Sequence, residues 1–367
     1  MRWCGWWPNS CRGRRSSTCP GRRTATSWKR GTTSATSPRS GPPPPGRPGP
    51  ACGRASPGPS TFTGSTGIIT GEGEERLSVT APLPPRRRRF GHRLAAFLGD
   101  LWYRLDRRHR EVVRRNLEFA YGPELTPRER ERIARAVFAN FLRFAWELAE
   151  LLLLPLSLIK RRVVFLGVEN MEAALARGKG VISIAAHAGN WEYTVLGYGL
   201  QFGAVAVVAR ELAHPLAHRL ARRLRERGGN WMVNKQRALR DILAHLQRNR
   251  IVGIVIDQNT SSKEGLLVDF FGRPARTTPV AALLARHREV PVVPSLSRRL
   301  ADGRHLLVFF PAIPMVKTDD PEADIQRHLQ EQNRIIEAWV RAEPSQWLWL
   351  HRRWKNQFPE LYEGEKK

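Results

Sequence analysis

The chain has 367 residues, room for one large or two modest domains, and a formal charge of +28 from 61 Lys and Arg against 33 Asp and Glu. It holds no run of about eighteen uninterrupted apolar residues, which argues against a conventional membrane-spanning helix. Its four cysteines, Cys4, Cys11, Cys19 and Cys52, all precede Gly53, which removes disulfides, Cys-ligated metals and a cysteine nucleophile from everything after it and suits a reducing compartment.

Residues 1–89 are dense in Arg, Ser, Thr, Gly and Pro, with the run Pro42-Pro43-Pro44-Pro45 and almost no aliphatic periodicity. Such a stretch buries too little apolar surface to offset its ordering entropy, so it is expected to be a disordered tail. It has a basic start but no continuous apolar core, unlike a secretory signal. Its scattered Trp and Cys are unlike a selected linker and fit an over-called translation start. The tail holds 16 basic against 3 acidic residues, leaving 45 against 30 in the rest. The remainder is therefore basic in its own right and favours an anionic partner: nucleic acid, an anionic membrane surface or an acidic protein. No zinc finger, helix-turn-helix or RNP-type aromatic motif supports nucleic acid.

Residues 90–160 read as helical. The stretch from Leu94 to Leu105, flanked by Arg86-Arg87-Arg88-Arg89 and Arg107-Arg108, has the character of a basic amphipathic helix. The apolar stretch 138–159 contains Leu151-Leu152-Leu153-Leu154 but is interrupted by Arg143, Glu147, Glu150 and Pro155. These stretches suit a membrane-associating region. The alternative is a helical hairpin packed on its own core, which leaves the basic flanks unexplained. From residue 161, strands are predicted at 163–168, 181–186, 204–209, 251–256, 290–297 and 305–310. Helices are predicted at 190–200, 215–227, 238–248, 278–287 and 322–342. The alternation predicts an α/β fold, a mixed sheet flanked by helices, over 161–358, with a charged tail at 359–367. There is no internal repeat.

The segment Val181-Ile182-Ser183-Ile184-Ala185-Ala186-His187-Ala188-Gly189-Asn190-Trp191-Glu192 reads as a buried strand, a small turn and a helix start. That places His187 and Glu192 at a usual address for chemistry in α/β folds. An imidazole near a carboxylate can take a proton from a hydroxyl; a purely structural strand-end histidine is the competing reading. Arg210 and Asp257 each close a further apolar strand. The segment 269–278, with Phe270-Phe271-Gly272 and Thr277-Thr278, and the closing Trp347-Leu348-Trp349-Leu350-His351-Arg352-Arg353-Trp354 also stand out. Singly, each has a structural reading: Arg210 as a surface charge, Asp257 as a cap, Phe270 and Phe271 as core, the Trp and Arg cluster as a snorkelling terminus. Walker A, Rossmann and Gly-x-Ser-x-Gly signatures are missing. His214 and His218 have the spacing of a zinc pair but lack the intervening Glu and a third ligand, so they read as part of a solvated basic helix face and no metal is expected.

In this order, these clusters resemble the late (secondary) acyltransferases of lipid A biosynthesis, within the lysophospholipid acyltransferase superfamily, over about residues 90–358. His187 and Glu192 match that family's His-x4-acid motif, Arg210 its strand-end arginine, Arg225 a second functional arginine and Asp257 a strand-end aspartate. Such enzymes usually begin with an apolar anchor, whereas the stretch from Leu94 is short and charged. The resemblance implies O-acyl transfer from an acyl thioester, on acyl-carrier protein or CoA, to a hydroxyl of an anionic glycolipid in lipopolysaccharide synthesis. A thioester is already activated, so neither a cofactor nor an acyl-enzyme is needed, in keeping with the missing serine elbow and the missing cysteine. His187 is then the expected base and Glu192 the group that orients it. Arg210, Arg225 and Asp257 are expected to bind substrate. The expected location is the cytoplasmic face of the bacterial inner membrane, peripheral or shallowly anchored. Other glycolipids, such as phosphatidylinositol mannosides, and a catalytically silent lipid-binding protein on the same fold are the alternatives.

Overall fold

The computed structural model describes residues 85–209, 214–234 and 238–363, so the tail through residue 84 lies outside it, as does Arg210. Four helices come first: α1 (Pro85–Leu105), α2 (Arg107–Tyr121), α3 (Pro127–Leu153) and α4 (Leu156–Lys160). Helix α1 begins inside the stretch assigned to the tail by composition, because Pro at the first helical position and a run of Arg are both compatible with a helix start. Helix α3 starts with a full capping box. Thr126 accepts from the Glu129 backbone N–H, and the Glu129 carboxylate returns to Thr126.

There follow β1 (Val163–Leu166), α5 (Val168–Leu175), β2 (Val181–Ala185), α6 (Trp191–Phe202), β3 (Ala206–Ala209), α7 (Pro215–Glu226), β4 (Trp231–Asn234), α8 (Ala238–Leu246) and β5 (Ile251–Val255). The chain continues through β6 (Leu266–Phe270), β7 (Arg273–Thr277), α9 (Val280–Arg288), β8 (Val292–Arg299), β9 (His305–Phe309) and α10 (Pro321–Ala342). Seven strands form one mixed sheet in the order β1-β9-β8-β2-β5-β3-β4. Only the β8–β9 pairing is antiparallel. Strands β2 and β5 lie in the middle, and their continuous apolar runs fit a sheet covered on both faces.

Six of the seven sheet strands were predicted. The seventh, β4, is only four residues long and half-exposed, so its pattern is weak. The separate hairpin β6–β7 was also missed, since Pro274 speaks against a strand. It is tolerated in an isolated two-stranded ladder, where Asp269 faces it. The hairpin turns on Phe271 and Gly272, both left-handed at φ 59° and 66°, as a two-residue primed turn requires.

One hydrophobic core unites the helices with the sheet: Tyr103, Val113, Leu117 and Phe138 lie in the same cluster as Ile182, Ile184, Val252 and Ile254. Trp347, Trp349 and Trp354 join it and are buried, so the aromatic terminus is part of the core and does not snorkel. Trp349 also donates from Nε1 to the Pro344 carbonyl at 2.7 Å. Truncating so large a buried ring leaves a cavity and an unpartnered carbonyl. Trp349→Ala should cost about 3–5 kcal/mol, read as the shift in urea midpoint at unchanged slope.

Candidate active site

His187 lies two residues beyond the end of β2, and Asp257 two beyond the end of β5. In the parallel register Ala185 pairs with Val255, so the two side chains leave neighbouring strands at the same level. The Asp257 carboxylate accepts from His187 Nδ1 at 2.7 Å and from the His187 backbone N–H at 2.8 Å. Trp347 Nε1 donates to it at 2.7 Å. Burial by itself would raise the Asp257 pKa, but the charge of His187 and these three hydrogen bonds outweigh it and hold the group at about 2. An ionised Asp257 accepts the Nδ1 proton, which leaves Nε2 of His187 with its lone pair outward. Nε2 faces the Gln258 amide nitrogen at 3.3 Å. The edge-to-face contact with Trp191, itself stacked on Phe144, fixes the plane of the imidazole.

Glu192 does not make the expected contact with His187. It sits in the first turn of α6, and its carboxylate is gripped by Arg225 of α7, from Nε at 2.9 Å and Nη2 at 2.5 Å. The helix start turns Glu192 toward α7, while the neighbouring strand end is the element that reaches His187. The carboxylate that hydrogen-bonds His187 in the structure is that of Asp257, where the sequence reading had expected Glu192. Arg225 is engaged with Glu192, its side chain 18% exposed, and the three hydrogen bonds of the buried Asp257 come from His187 and Trp347. His218 lies in α7, beside Arg219 and Arg222 in the basic stretch, and the described residues contain no cluster of three or more metal-ligating side chains.

Residues that pattern reading passed over hold the turn. Asn190 caps α6, its Oδ1 accepting from the backbone N–H of Glu192 and Tyr193. Its own Nδ2 donates at 2.8 Å to Glu147 of α3. Glu147 forms a two-pronged pair with Arg299 of β8, both buried. Gly189 has φ 61°, and a Cβ there would stand 2.9 Å from the Arg298 backbone. The C-terminal segment pairs with the same turn: the Gly189 N–H donates to the Gln346 carbonyl and the Leu348 N–H to the His187 carbonyl. Asn190 was legible as a cap ahead of an apolar helix. Glu147 and Arg299 are 152 residues apart, and no local pattern links them.

Burial would raise the Glu147 pKa, but the charge of His305 and the bonds from Arg299 and Asn190 bring it from 4.5 down to about 2. A depressed carboxylate pKa stabilises the fold fully above pH 4.5, and that contribution is lost as the pH falls toward 2. Glu147→Gln should therefore flatten acid unfolding across this window. It should also cost about 3–5 kcal/mol at neutral pH, because Arg299 is left buried with an unmatched charge. Denaturant titrations at a series of pH values check both effects.

Comparison with known proteins bears on this geometry. Residues 76–356 match the model of the family described as bacterial lipid A biosynthesis acyltransferase. The chain is 25% identical to a lipid A biosynthesis acyltransferase of Haemophilus influenzae over 247 residues, 66% of this chain and 75% of the relative. It is 26% identical to the lipid A biosynthesis lauroyltransferase of Escherichia coli over 266 residues, 72% and 85% of the two chains. A phosphatidylinositol mannoside acyltransferase of Mycobacterium tuberculosis is 25% identical over 191 residues, 51% of this chain and 58% of the relative. With a family match spanning the helices, the sheet and the Trp-rich terminus, the chain belongs to the bacterial lipid A biosynthesis acyltransferases and is an acyltransferase.

Proposed function

We propose that the protein moves a fatty acyl group from an acyl thioester, carried on acyl-carrier protein or CoA, to a hydroxyl of a lipid A precursor. The observation that carries this reading is the pairing of His187 with the buried Asp257 at the end of two central strands. His187 Nε2 takes the proton of the acceptor hydroxyl, which displaces the Gln258 amide from its place 3.3 Å away. The hydroxyl oxygen attacks the thioester carbonyl, the C–S bond breaks, and the thiolate takes the proton back from the imidazolium. Asp257 holds the imidazole in the required tautomer and stabilises its cationic form. Glu192 and Arg225 act indirectly, tying α6 to α7 and so positioning the turn that bears His187. Arg210 lies outside the described residues and keeps its proposed part in holding an anionic substrate group.

The enzyme works at the cytoplasmic face of the bacterial inner membrane. Among the described residues no helix is long and apolar enough to cross a membrane. The supporting feature is an exposed apolar strip on α1, with Phe97 66% and Leu105 73% exposed and Leu101 between them. On α3, Leu153 is 81% exposed. Helix α1 opens with the run Arg86-Arg87-Arg88-Arg89, a composition suited to lying in an anionic interface. The same basic composition suits an acidic carrier protein as donor.

In an acyl-transfer assay with acyl-carrier-protein thioester and lipid A precursor, His187→Ala should lower kcat by about 10²- to 10⁴-fold. Asp257→Asn should fall in the same range. Glu192→Gln should act more on thermal stability than on turnover. Full activity of His187→Ala in folded protein would refute the mechanism. Phe97→Asp with Leu105→Asp should weaken partition onto phosphatidylglycerol vesicles by about tenfold or more, measured by co-sedimentation, since each buried side chain contributes about 1.5–3 kcal/mol.

A further inference from the structure

Attack on a thioester drives negative charge onto the carbonyl oxygen before the C–S bond breaks, and a donor aimed at that oxygen raises the rate. Several donors around His187 are already committed within the protein. The Gly189 N–H goes to the Gln346 carbonyl, the Leu348 N–H to the His187 carbonyl and the Asn259 N–H to His351 Nε2. The Asn190 amide donates to Glu147 and the Trp347 indole to Asp257. The side-chain amide of Gln258 differs from all of these. It stands against His187 Nε2 itself, the atom that the acceptor hydroxyl must reach.

Gln258 has a fixed root and an accessible tip. Its backbone carbonyl accepts from Arg353 at 2.9 Å, and Arg353 is fully buried with further bonds to Thr277 and Asn333. On one side Asp257 is buried against His187 and Trp347, and on the other the Asn259 N–H is held by His351. The Gln258 side chain between these anchors is exposed. With the Nδ1 proton of His187 facing Asp257, Nε2 carries a lone pair, so the NH₂ end of the amide is the end that meets it. A donor of the right polarity thus lies 3.3 Å from the reacting nitrogen.

When the hydroxyl takes Nε2, the amide loses its acceptor and stays beside the reacting atoms. The carbonyl oxygen of the attacked thioester lies two bonds from the hydroxyl oxygen that displaced it. We infer that Gln258 is a further catalytic residue, whose side-chain amide passes from His187 Nε2 to the thioester carbonyl oxygen and stabilises the charge that develops there. As the hydroxyl oxygen bonds to carbon, the carbonyl π pair moves onto oxygen and is held by the amide N–H. The pair then returns, the C–S bond breaks, and the thiolate leaves with the proton from His187. The assignment rests on the acyl-transfer reading for the chemistry at His187.

The test compares two donors that differ in one atom: the acyl-carrier-protein thioester and the matching dithioester, in which sulfur replaces the carbonyl oxygen. Sulfur is a weak hydrogen-bond acceptor, so a donor aimed at this atom makes the enzyme favour the oxygen compound. Gln258→Ala should lower kcat on the thioester about 10²- to 10³-fold, with both KM values within about twofold of wild type. Its thioester-to-dithioester ratio of kcat should fall about tenfold, since only the oxygen compound had a contact to lose. Gln258→Glu keeps the shape of the side chain but removes the donor, and should be at least as slow. Both substitutions leave the backbone bond to Arg353 in place. A structural role would slow both donors alike, so an unchanged ratio in Gln258→Ala overturns the assignment, and so does full turnover by Gln258→Glu. Thiol release without lipid acceptor, with water in the place of the hydroxyl, repeats the comparison independently of the acceptor. Failure of the acyl-transfer reading would appear separately, as full activity in His187→Ala.

Discussion

The buried carboxylate of Asp257 is the constraint on which the rest of this structure depends. Placed at the end of a central strand, it is costly unless every lone pair is matched, and the fold matches it with the ring and backbone of His187 and the indole of Trp347. These three donors come from a strand-end turn and from a segment 90 residues downstream of the aspartate. Meeting them requires that β2, β5 and the C-terminal segment all be in place. The electrostatic need of one side chain therefore ties formation of the site to completion of the fold.

Around this centre, the remaining polar groups of the interior act as supports. Arg353 is fully buried among carbonyl and hydroxyl oxygens, reaching the Gln258 carbonyl at 2.9 Å and Asn333 of α10 at 3.2 Å. Burial lowers its pKa to about 10, and the negative charge of Asp257 opposes that shift, so it remains a cation at neutral pH. Glu147, Arg299 and Asn190 perform the equivalent task on the other side of the turn, and Arg225 with Glu192 on the helix that follows. Each is an ion pair or a charged hydrogen bond with little solvent, where truncating one partner is far more damaging than replacing both. These supports leave His187 little freedom, with its Nε2 facing the Gln258 amide.

The basic excess divides between places of different character. Part lies with the apolar strip of α1, where charge and exposed rings favour the same interface. Part rims a cavity beside α2, where Arg108, Arg352 and Lys355 line an open hollow.

Much of the architecture was legible in the sequence. Alternating apolar runs of strand and helix length specified the α/β order, and His187, Arg210 and Asp257 could be placed at strand ends because each closes a β-branched run. Hydrophobic periodicity acts over a few residues, so it reports elements but not which of them adjoin. The pairing of β2 with β5, and with it the choice of Asp257 over Glu192 as partner of His187, follows from sheet order and register. The sequence neighbour of the histidine, five residues away, belongs instead to Arg225. The hairpin β6–β7 escaped notice because its proline violates a rule that holds only for inner strands. The burial of the terminal tryptophans could not be read either, since an amphipathic terminus and a core segment have the same composition. Local pattern determined which residues stand at the ends of strands. Tertiary structure alone decided which of them touch, because a carboxylate takes its partner from whatever the packed fold brings within hydrogen-bonding distance.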